Sequence, residues 1–155
     1  MQLYENQKYG AAQHFFDKVV ETHKDPNSLA RVDAEYYSAI CAIELFNKDA
    51  ELLLKQFIEK HPESPHKRTA YFNLGKYNYR KKKYKEAIEY FWAVDIYDLT
   101  ADEKAELYFK RGYSYFELSE KNETEKLNSV IVNNDKTPRK YVANNIENAK
   151  ADFYR

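Results

Sequence analysis

Four kinds of group in this chain could carry out chemistry: a thiol, imidazoles, carboxylates and the backbone of a glycine-rich loop. The thiol is the single Cys41, and the imidazoles are His14, His23, His61 and His66. His61 and His66 are five residues apart, so they do not form the i,i+4 pair of a helical metal site, and no cysteine cluster accompanies them. The three glycines stand singly rather than in a phosphate-binding loop. These residues predict no catalytic group, no metal site and no cofactor.

The charged residues indicate solvated helix faces. Lysine plus arginine and aspartate plus glutamate number 25 each, and most carboxylates lie at helical spacing from a lysine. The run Arg80–Lys83, followed by Lys85, has the composition of a nucleic-acid patch. Because it falls at a predicted turn in a chain without net charge, we expect an ordinary solvated turn and no nucleic-acid partner.

The overall composition favours a folded, all-α domain. Hydrophobic residues make up 43% of the chain and aromatic residues 16%, which excludes a disordered sequence. Three glycines and four prolines leave few tight turns. No segment is apolar enough to span a membrane, and no export signal is recognisable. Because the chain opens directly on a helical pattern, we expect it to be a fragment of a longer protein.

Apolar stripes at helical spacing, separated by short polar or proline-containing segments, predict the helices. Ser28 and Thr100 are the predicted N-caps. The predicted ranges are 9–20, 28–46, 50–60, 68–80, 84–97 and 101–118. After Leu118 the pattern weakens until Pro138, which begins a predicted last helix through Arg155. That helix either closes the end of an array or is the first half of a further repeat, and both interpretations remain open.

A period of about 34 residues runs through these helices. Tyr37, Tyr71, Tyr108 and Tyr141 follow one another at intervals of 34, 37 and 33 residues. Cys41, Gly75 and Gly112 form a parallel row of small residues. Helix pairs that repeat at this period are typical of stacked helical hairpins, which bind other proteins more often than they catalyse reactions.

The segment Tyr71–Gly75, with Ala87 and Phe91 after it, resembles the tetratricopeptide repeat. That family carries an aromatic residue, then Leu-Gly, then an alanine and an aromatic on the second helix. The small residues let the two helices approach, and Phe91 fills the gap to the next hairpin. The resemblance is partial in the preceding repeat, where Leu53 replaces the usual alanine, and it fades after residue 118.

The resemblance implies an all-α, right-handed superhelix built from antiparallel helix hairpins. It predicts one array over residues 1–155, with a partial repeat at 1–24, repeats at about 28–65, 66–99 and 100–136, and a terminal helix at 137–155. The segment Phe57–Pro65 is further similar to repeats of bacterial cell-envelope proteins of the Tol–Pal coordinator and outer-membrane assembly lipoprotein type. This similarity implies a periplasmic or envelope location, with the cytoplasm as the alternative.

In that family the first helices of successive hairpins line a concave groove. The resemblance assigns eight residues of this chain to such a groove, as a site for a protein or peptide: Leu45, Phe72, Lys76, Tyr79, Arg80, Phe109, Tyr113 and Phe116. The alternative for each ring is packing against a neighbouring helix. Of the five groove positions that would form a carboxylate clamp, only Asn73 and Lys110 hold compatible residues. The other three hold Ser38, Ala42 and Glu106, so we expect no clamp.

The predicted function is therefore a non-catalytic scaffold that binds a protein or peptide. No small-molecule substrate and no cofactor is expected. The alternative is a structural spacer or a self-associating segment of a longer repeat protein, which would form a homo-oligomer.

Overall fold

The computed structural model describes the backbone of residues 2–133 and the side chains of residues 6–126. These residues form six α-helices and one short 3-10 turn, Ile96–Asp98, and contain no strand. The helices are α1 (Gln2–Thr22), α2 (Leu29–Glu44), α3 (Ala50–Lys60), α4 (His66–Arg80), α5 (Tyr84–Ala93) and α6 (Ala101–Asn133). The last predicted helix, after Pro138, lies outside the described residues.

The chain divides into two compact units, of which the first ends at Leu74 and the second begins at Gly75. In the first unit α1 packs on α2, and α2 packs on α3. In the second unit α5 packs on α6. This packing of consecutive helices confirms the predicted fold class, an all-α, tetratricopeptide-like series of helix pairs. The boundaries of the individual repeats stay a prediction.

Both predicted N-caps are confirmed. The Ser28 hydroxyl accepts a hydrogen bond from the Arg31 backbone N–H at 3.3 Å. At the start of α6 the Thr100 hydroxyl accepts from the Glu103 N–H at 3.2 Å, while the Glu103 carboxylate accepts from the Thr100 N–H at 2.8 Å. This reciprocal pair is a capping box, which satisfies two backbone donors that a helix start leaves open.

Three predicted helix boundaries are wrong, and one is the start of α1, which begins at Gln2 rather than at residue 9. α5 ends at Ala93 rather than at residue 97, because Val94 is extended and the Asp95 side chain accepts from the Tyr97 N–H to start a 3-10 turn. α6 continues past Leu118 to Asn133 as one helix. The asparagines of this stretch weaken its apolar stripe but do not interrupt it, since their helix propensity is only modestly unfavourable and α6 contains no proline or glycine after Gly112.

The predicted close approach of α4 and α5 in the second unit is present. Gly75, Ala87 and Phe91 are all buried, and Phe91 and Ala87 are fully so. A Cβ atom on Gly75 would lie 2.5 Å from two atoms of the Phe91 ring. The glycine therefore lets this ring rest directly on the backbone of α4.

A stacked arginine fixes α6 against α5. Arg111 is 2% exposed, and its guanidinium carbon lies 3.7 Å from the centroid of the Trp92 ring. The Trp92 indole N–H donates to the Tyr115 hydroxyl at 2.8 Å. A planar guanidinium stacked on an aromatic face combines packing with cation–π attraction.

Two helices are each followed by a non-glycine residue in the left-handed conformation. After α2, Phe46 has a φ of 55°, and after α4, Lys82 has a φ of 59°. At each end two backbone bonds run back into the last turn, Asn47 to Ala42 and Phe46 to Ile43 in the first case. The same pattern joins Lys83 to Asn78 and Lys82 to Tyr79 in the second. This is the Schellman arrangement, in which glycine is the preferred left-handed residue.

We predict that Gly75→Ala lowers the free energy of unfolding by about 1–3 kcal/mol, because the added methyl group overlaps the buried Phe91 ring. Urea denaturation followed by circular dichroism measures the change. Gly10→Ala is the matched control, since nothing lies within 4 Å of a Cβ at Gly10 in α1. Equal stability of the two variants would show that α4 and α5 are not held together at this point.

We predict that Lys82→Gly raises the free energy of unfolding by up to about 1 kcal/mol, because glycine adopts the left-handed conformation without a steric penalty. Lys82→Ala removes the same charge but keeps a Cβ atom, so we expect it to give no such gain. If alanine stabilised the protein as much as glycine does, loss of charge in the lysine run would be the cause instead. The same urea titration distinguishes the two.

Candidate functional site

Five aromatic side chains of the second unit lie against one another and form a surface that we call the aromatic face: Tyr79 of α4, Tyr84 of α5, and Phe109, Tyr113 and Phe116 of α6. The three tyrosine rings contact pairwise in edge-to-face geometry, with centroid distances of 5.9–6.1 Å. The Tyr113 ring also lies 6.3 Å from Phe109 and 6.2 Å from Phe116. Spacings of four and three residues put the three α6 rings on one side of the helix.

Two rings of the aromatic face are open to solvent. Phe109 is 55% exposed and Phe116 is 46% exposed, while the three tyrosines are half-buried. Single exposed apolar residues are ordinary on a protein surface, but adjoining exposed rings mark interaction sites. The half-buried tyrosines hold the two phenylalanines in place without covering them.

Polar groups border the aromatic face. The Lys110 ammonium lies 5.4 Å from the centroid of the Tyr79 ring and donates to the Glu106 carboxylate at 2.6 Å. A hydrogen bond between Tyr113 and the Glu117 carboxylate raises the pKa of Tyr113 to about 12, since loss of the phenolic proton would place two negative charges side by side. The Tyr113 hydroxyl therefore stays protonated at neutral pH and cannot act as a base.

The structure brings together four of the eight predicted groove residues: Tyr79, Phe109, Tyr113 and Phe116. Lys76 and Arg80 also belong to the second unit, on α4, and are half-buried and exposed respectively. Leu45 and Phe72 belong to the first unit. Leu45 is half-buried, but Phe72 is 3% exposed, so its side chain packs inside the protein and offers no surface to a partner.

Sequence reasoning missed Tyr84 as a member of this face. The resemblance placed only residues of first helices in the groove, and Tyr84 begins a second helix. Its contact with Tyr113 instead depends on α5 beginning directly after the lysine turn, at Tyr84 itself. The only sequence signal was the position of Tyr84 next to that turn, which does not specify a partner ring.

In the first unit, sequence reasoning also missed a network around Glu35. One oxygen of its carboxylate accepts from the Arg31 Nε at 3.1 Å and from the Lys60 ammonium at 2.8 Å. The other oxygen lies 2.7 Å from the Nε2 of His61. Burial by itself raises the pKa of Glu35, but the hydrogen bonds from Lys60, His61 and Arg31 outweigh it, so the pKa lies below its ordinary value.

The Glu35 network borders a cavity of about 280 Å³ in the first unit. Arg31, Glu35 and Lys60 contribute its charges, together with Asp17, whose carboxylate accepts a 2.6 Å hydrogen bond from Ser38. Apolar side chains complete the lining: Val20, Ala39, Leu53 and Phe57. Glu35 already has three hydrogen-bond partners, so the network explains how α2 and α3 are joined and gives no nucleophile or base.

The second histidine of the α3–α4 loop is structural as well. The Nε2 of His66 lies 2.8 Å from the Asp33 carboxylate, and its ring stacks on Tyr36 with centroids 4.2 Å apart. Tyr36 is buried, and its hydroxyl lies 2.8 Å from the Thr69 hydroxyl. This loop is thus tied to α2 at both ends, by His61 and by His66.

Among the described side chains, the remaining candidates, a thiol and a metal site, give no reactive site. Burial, followed by the charges of Asp17 and Glu44, raises the pKa of the buried Cys41 thiol, which keeps it protonated. Over the residues whose side chains are described, no three histidine, cysteine or acidic side chains are placed to hold a metal ion. Among the described helices, none combines the length and apolar character of a membrane span.

The comparisons with known proteins agree with this geometry in one segment. Residues 33–64 match the tetratricopeptide repeat. The match covers most of α2, all of α3 and the loop that follows, which is the hairpin where Leu53 departs from the family's small residue, rather than the hairpin with Leu74-Gly75. No curated protein and no solved structure matches the chain significantly.

We predict that Glu35→Gln lowers the free energy of unfolding at neutral pH by about 1–3 kcal/mol, because the hydrogen bonds lose their negative acceptor. The folded-state pKa of Glu35 is depressed, so its contribution is present above the ordinary value of 4.5 and is lost as the pH falls below it. Stability of the variant should therefore change less between about pH 5 and pH 3 than stability of the native protein.

Glu51→Gln is the matched control for this experiment. Glu51 forms an i,i+4 pair with Lys55 along α3 at 3.0 Å, and a helical pair of this kind contributes only about 0.3–0.5 kcal/mol. Urea denaturation at each pH gives the comparison. Parallel pH profiles for the native protein and Glu35→Gln would contradict the role of the network.

Proposed function

We propose that this chain is a non-catalytic interaction scaffold and that its aromatic face binds a segment of another protein. The observation that carries the proposal is the pair of exposed rings, Phe109 and Phe116, each in contact with Tyr113 between them. Aromatic side chains that a partner can desolvate supply much of the binding energy of protein interfaces. Their rigid support by half-buried tyrosines reduces the entropy lost on binding.

Two further observations support a protein as the ligand. Tetratricopeptide repeats generally mediate protein–protein interactions, and residues 33–64 match that repeat. The aromatic face is an open surface of large rings, which suits the apolar side chains of a peptide or helix. The proposed compartment is the cell envelope, on the basis of the similarity of the segment Phe57–Pro65 to envelope repeats.

Self-association is the second candidate, and a feature of the first unit favours it. α1 exposes the Phe15 ring at 65%, and a second copy of the chain could cover it. Light scattering at rising protein concentration separates the two candidates. A dimer that Phe15→Ser disrupts would support self-association through α1.

We predict that the double variant Phe109→Ser, Phe116→Ser binds partner peptides at least about tenfold more weakly than the native chain, since two exposed anchors are lost. The peptides are selected from a displayed library of random peptides, with the full chain as the target. Calorimetry then gives the dissociation constants. Both rings are about half exposed, so far-ultraviolet circular dichroism should show unchanged helicity.

Phe15→Ser is the control, because it removes an equally exposed ring from the first unit. It should leave the affinity of the selected peptides unchanged. Peptides that bind the double variant as tightly as the native chain, or a selection that yields no binder, would overturn the proposed function.

A further inference from the structure

The proposed function leaves open what kind of segment the aromatic face binds. Resting on that function, we propose that the bound segment carries a lysine or arginine between apolar residues. Its positive charge would dock on the Glu117 carboxylate beside Tyr79, Tyr84 and Tyr113, while its apolar side chains cover Phe109 and Phe116.

The three tyrosines and Glu117 form a cluster drawn from three helices. Tyr79 is the second-last residue of α4, and Tyr84 is the first residue of α5. Tyr113 and Glu117 lie one turn apart on α6. Burial raises the pKa of Tyr79 and Tyr84, and the negative charge of Glu117 raises both further. Glu117 follows Tyr113 by four residues on α6, so it lies on the side of the helix where the Tyr113 ring contacts Tyr79 and Tyr84.

Glu117 has no basic partner within the part of the chain that the structure describes. Two other partly buried carboxylates are paired: Glu106 with Lys110 at 2.6 Å and Glu35 with Arg31 and Lys60. The base one helical turn after Glu117 is Lys121, and it lies 3.9 Å from Glu125 instead. No ion pair among the described residues therefore occupies the Glu117 carboxylate.

A carboxylate bordered by aromatic faces is a site for a cation. The ring faces carry partial negative charge, so they attract an ammonium or guanidinium group in addition to the ion pair with the carboxylate. The chain itself illustrates this attraction, because the Lys110 ammonium lies 5.4 Å from the centroid of the Tyr79 ring. Lys110 is held by Glu106, which leaves Glu117 to a cation from the partner.

The basic residues nearby make an acidic partner the competing outcome. The turn from α4 to α5 carries Arg80, Lys81, Lys82 and Lys83 between Tyr79 and Tyr84. An acidic segment would be attracted to this turn but repelled by Glu117. Since all three of these lysines are exposed to water, salt screens their attraction more strongly than it screens a charge that is partly enclosed by rings.

The test compares three synthetic peptides that share one leucine-flanked sequence and differ only at the central residue, which is lysine, norleucine or glutamate. Binding to the full chain is followed by chemical-shift titration. We expect the lysine peptide to bind about tenfold more tightly than the other two. Glu117→Gln should reduce this preference to less than about twofold, whereas Glu120→Gln, the same change at an exposed position of α6, should leave it unchanged.

A second measurement on the native chain does not depend on how the variants fold. Raising the salt concentration from about 0.02 M to about 0.5 M should narrow the difference between the lysine and norleucine peptides. Tyr113→Phe, which keeps both the ring and the carboxylate, should retain the preference for lysine.

The outcomes separate the inference from the function on which it rests. If the lysine and norleucine peptides bind equally and shift the signals of Phe109 and Phe116, the cationic site is wrong and the binding function stands. Tightest binding of the glutamate peptide would likewise overturn the inference in favour of an acidic partner. If none of the three peptides binds, and library selection also fails, the proposed function itself is overturned.

Discussion

The close approach of α4 and α5 at Gly75 is the constraint on which the second unit depends. Without a Cβ at this position, the Phe91 ring reaches the backbone of α4 and the two helices can pair tightly. Tyr79 lies one turn after Gly75, and Tyr84 lies two turns before Phe91, so both tyrosines share the faces that make this contact. The tight pairing therefore also sets the 6.0 Å distance between Tyr79 and Tyr84, on which the aromatic face is built.

The features that the sequence predicted correctly are those determined by near neighbours. The bounds of α3, the caps at Ser28 and Thr100 and the role of Gly75 follow from residue size or hydrogen-bonding groups within a few positions. The end of α6 was misjudged for a related reason. A dilute apolar stripe lowers helix propensity only slightly, and a helix continues through it when no glycine or proline interrupts it.

The contacts within the candidate site could be predicted from spacing only where one helix supplies both residues. Phe109, Tyr113 and Phe116 follow helical spacing on α6, and the sequence therefore groups them. The partners of Glu35 lie as far as 25 and 26 residues away along the chain, and no local pattern specifies them. Phe72 illustrates the same limit. The family resemblance indicates on which side of its helix Phe72 lies, but it does not indicate which residues pack against it and bury it.

Glu35 and Glu117 differ in the groups with which their charges interact. Glu35 is partly buried and has three basic hydrogen-bond partners, so its charge stabilises the folded chain and its pKa is lowered. The charge of Glu117 instead raises the pKa of the neighbouring tyrosines, and no described basic side chain forms an ion pair with it. A charge placed among aromatic rings without a partner contributes little to folding, but it favours any ligand that brings the missing cation. Because the exposed rings of Phe109 and Phe116 adjoin the same cluster, one partner segment can satisfy the charge and cover the apolar surface together.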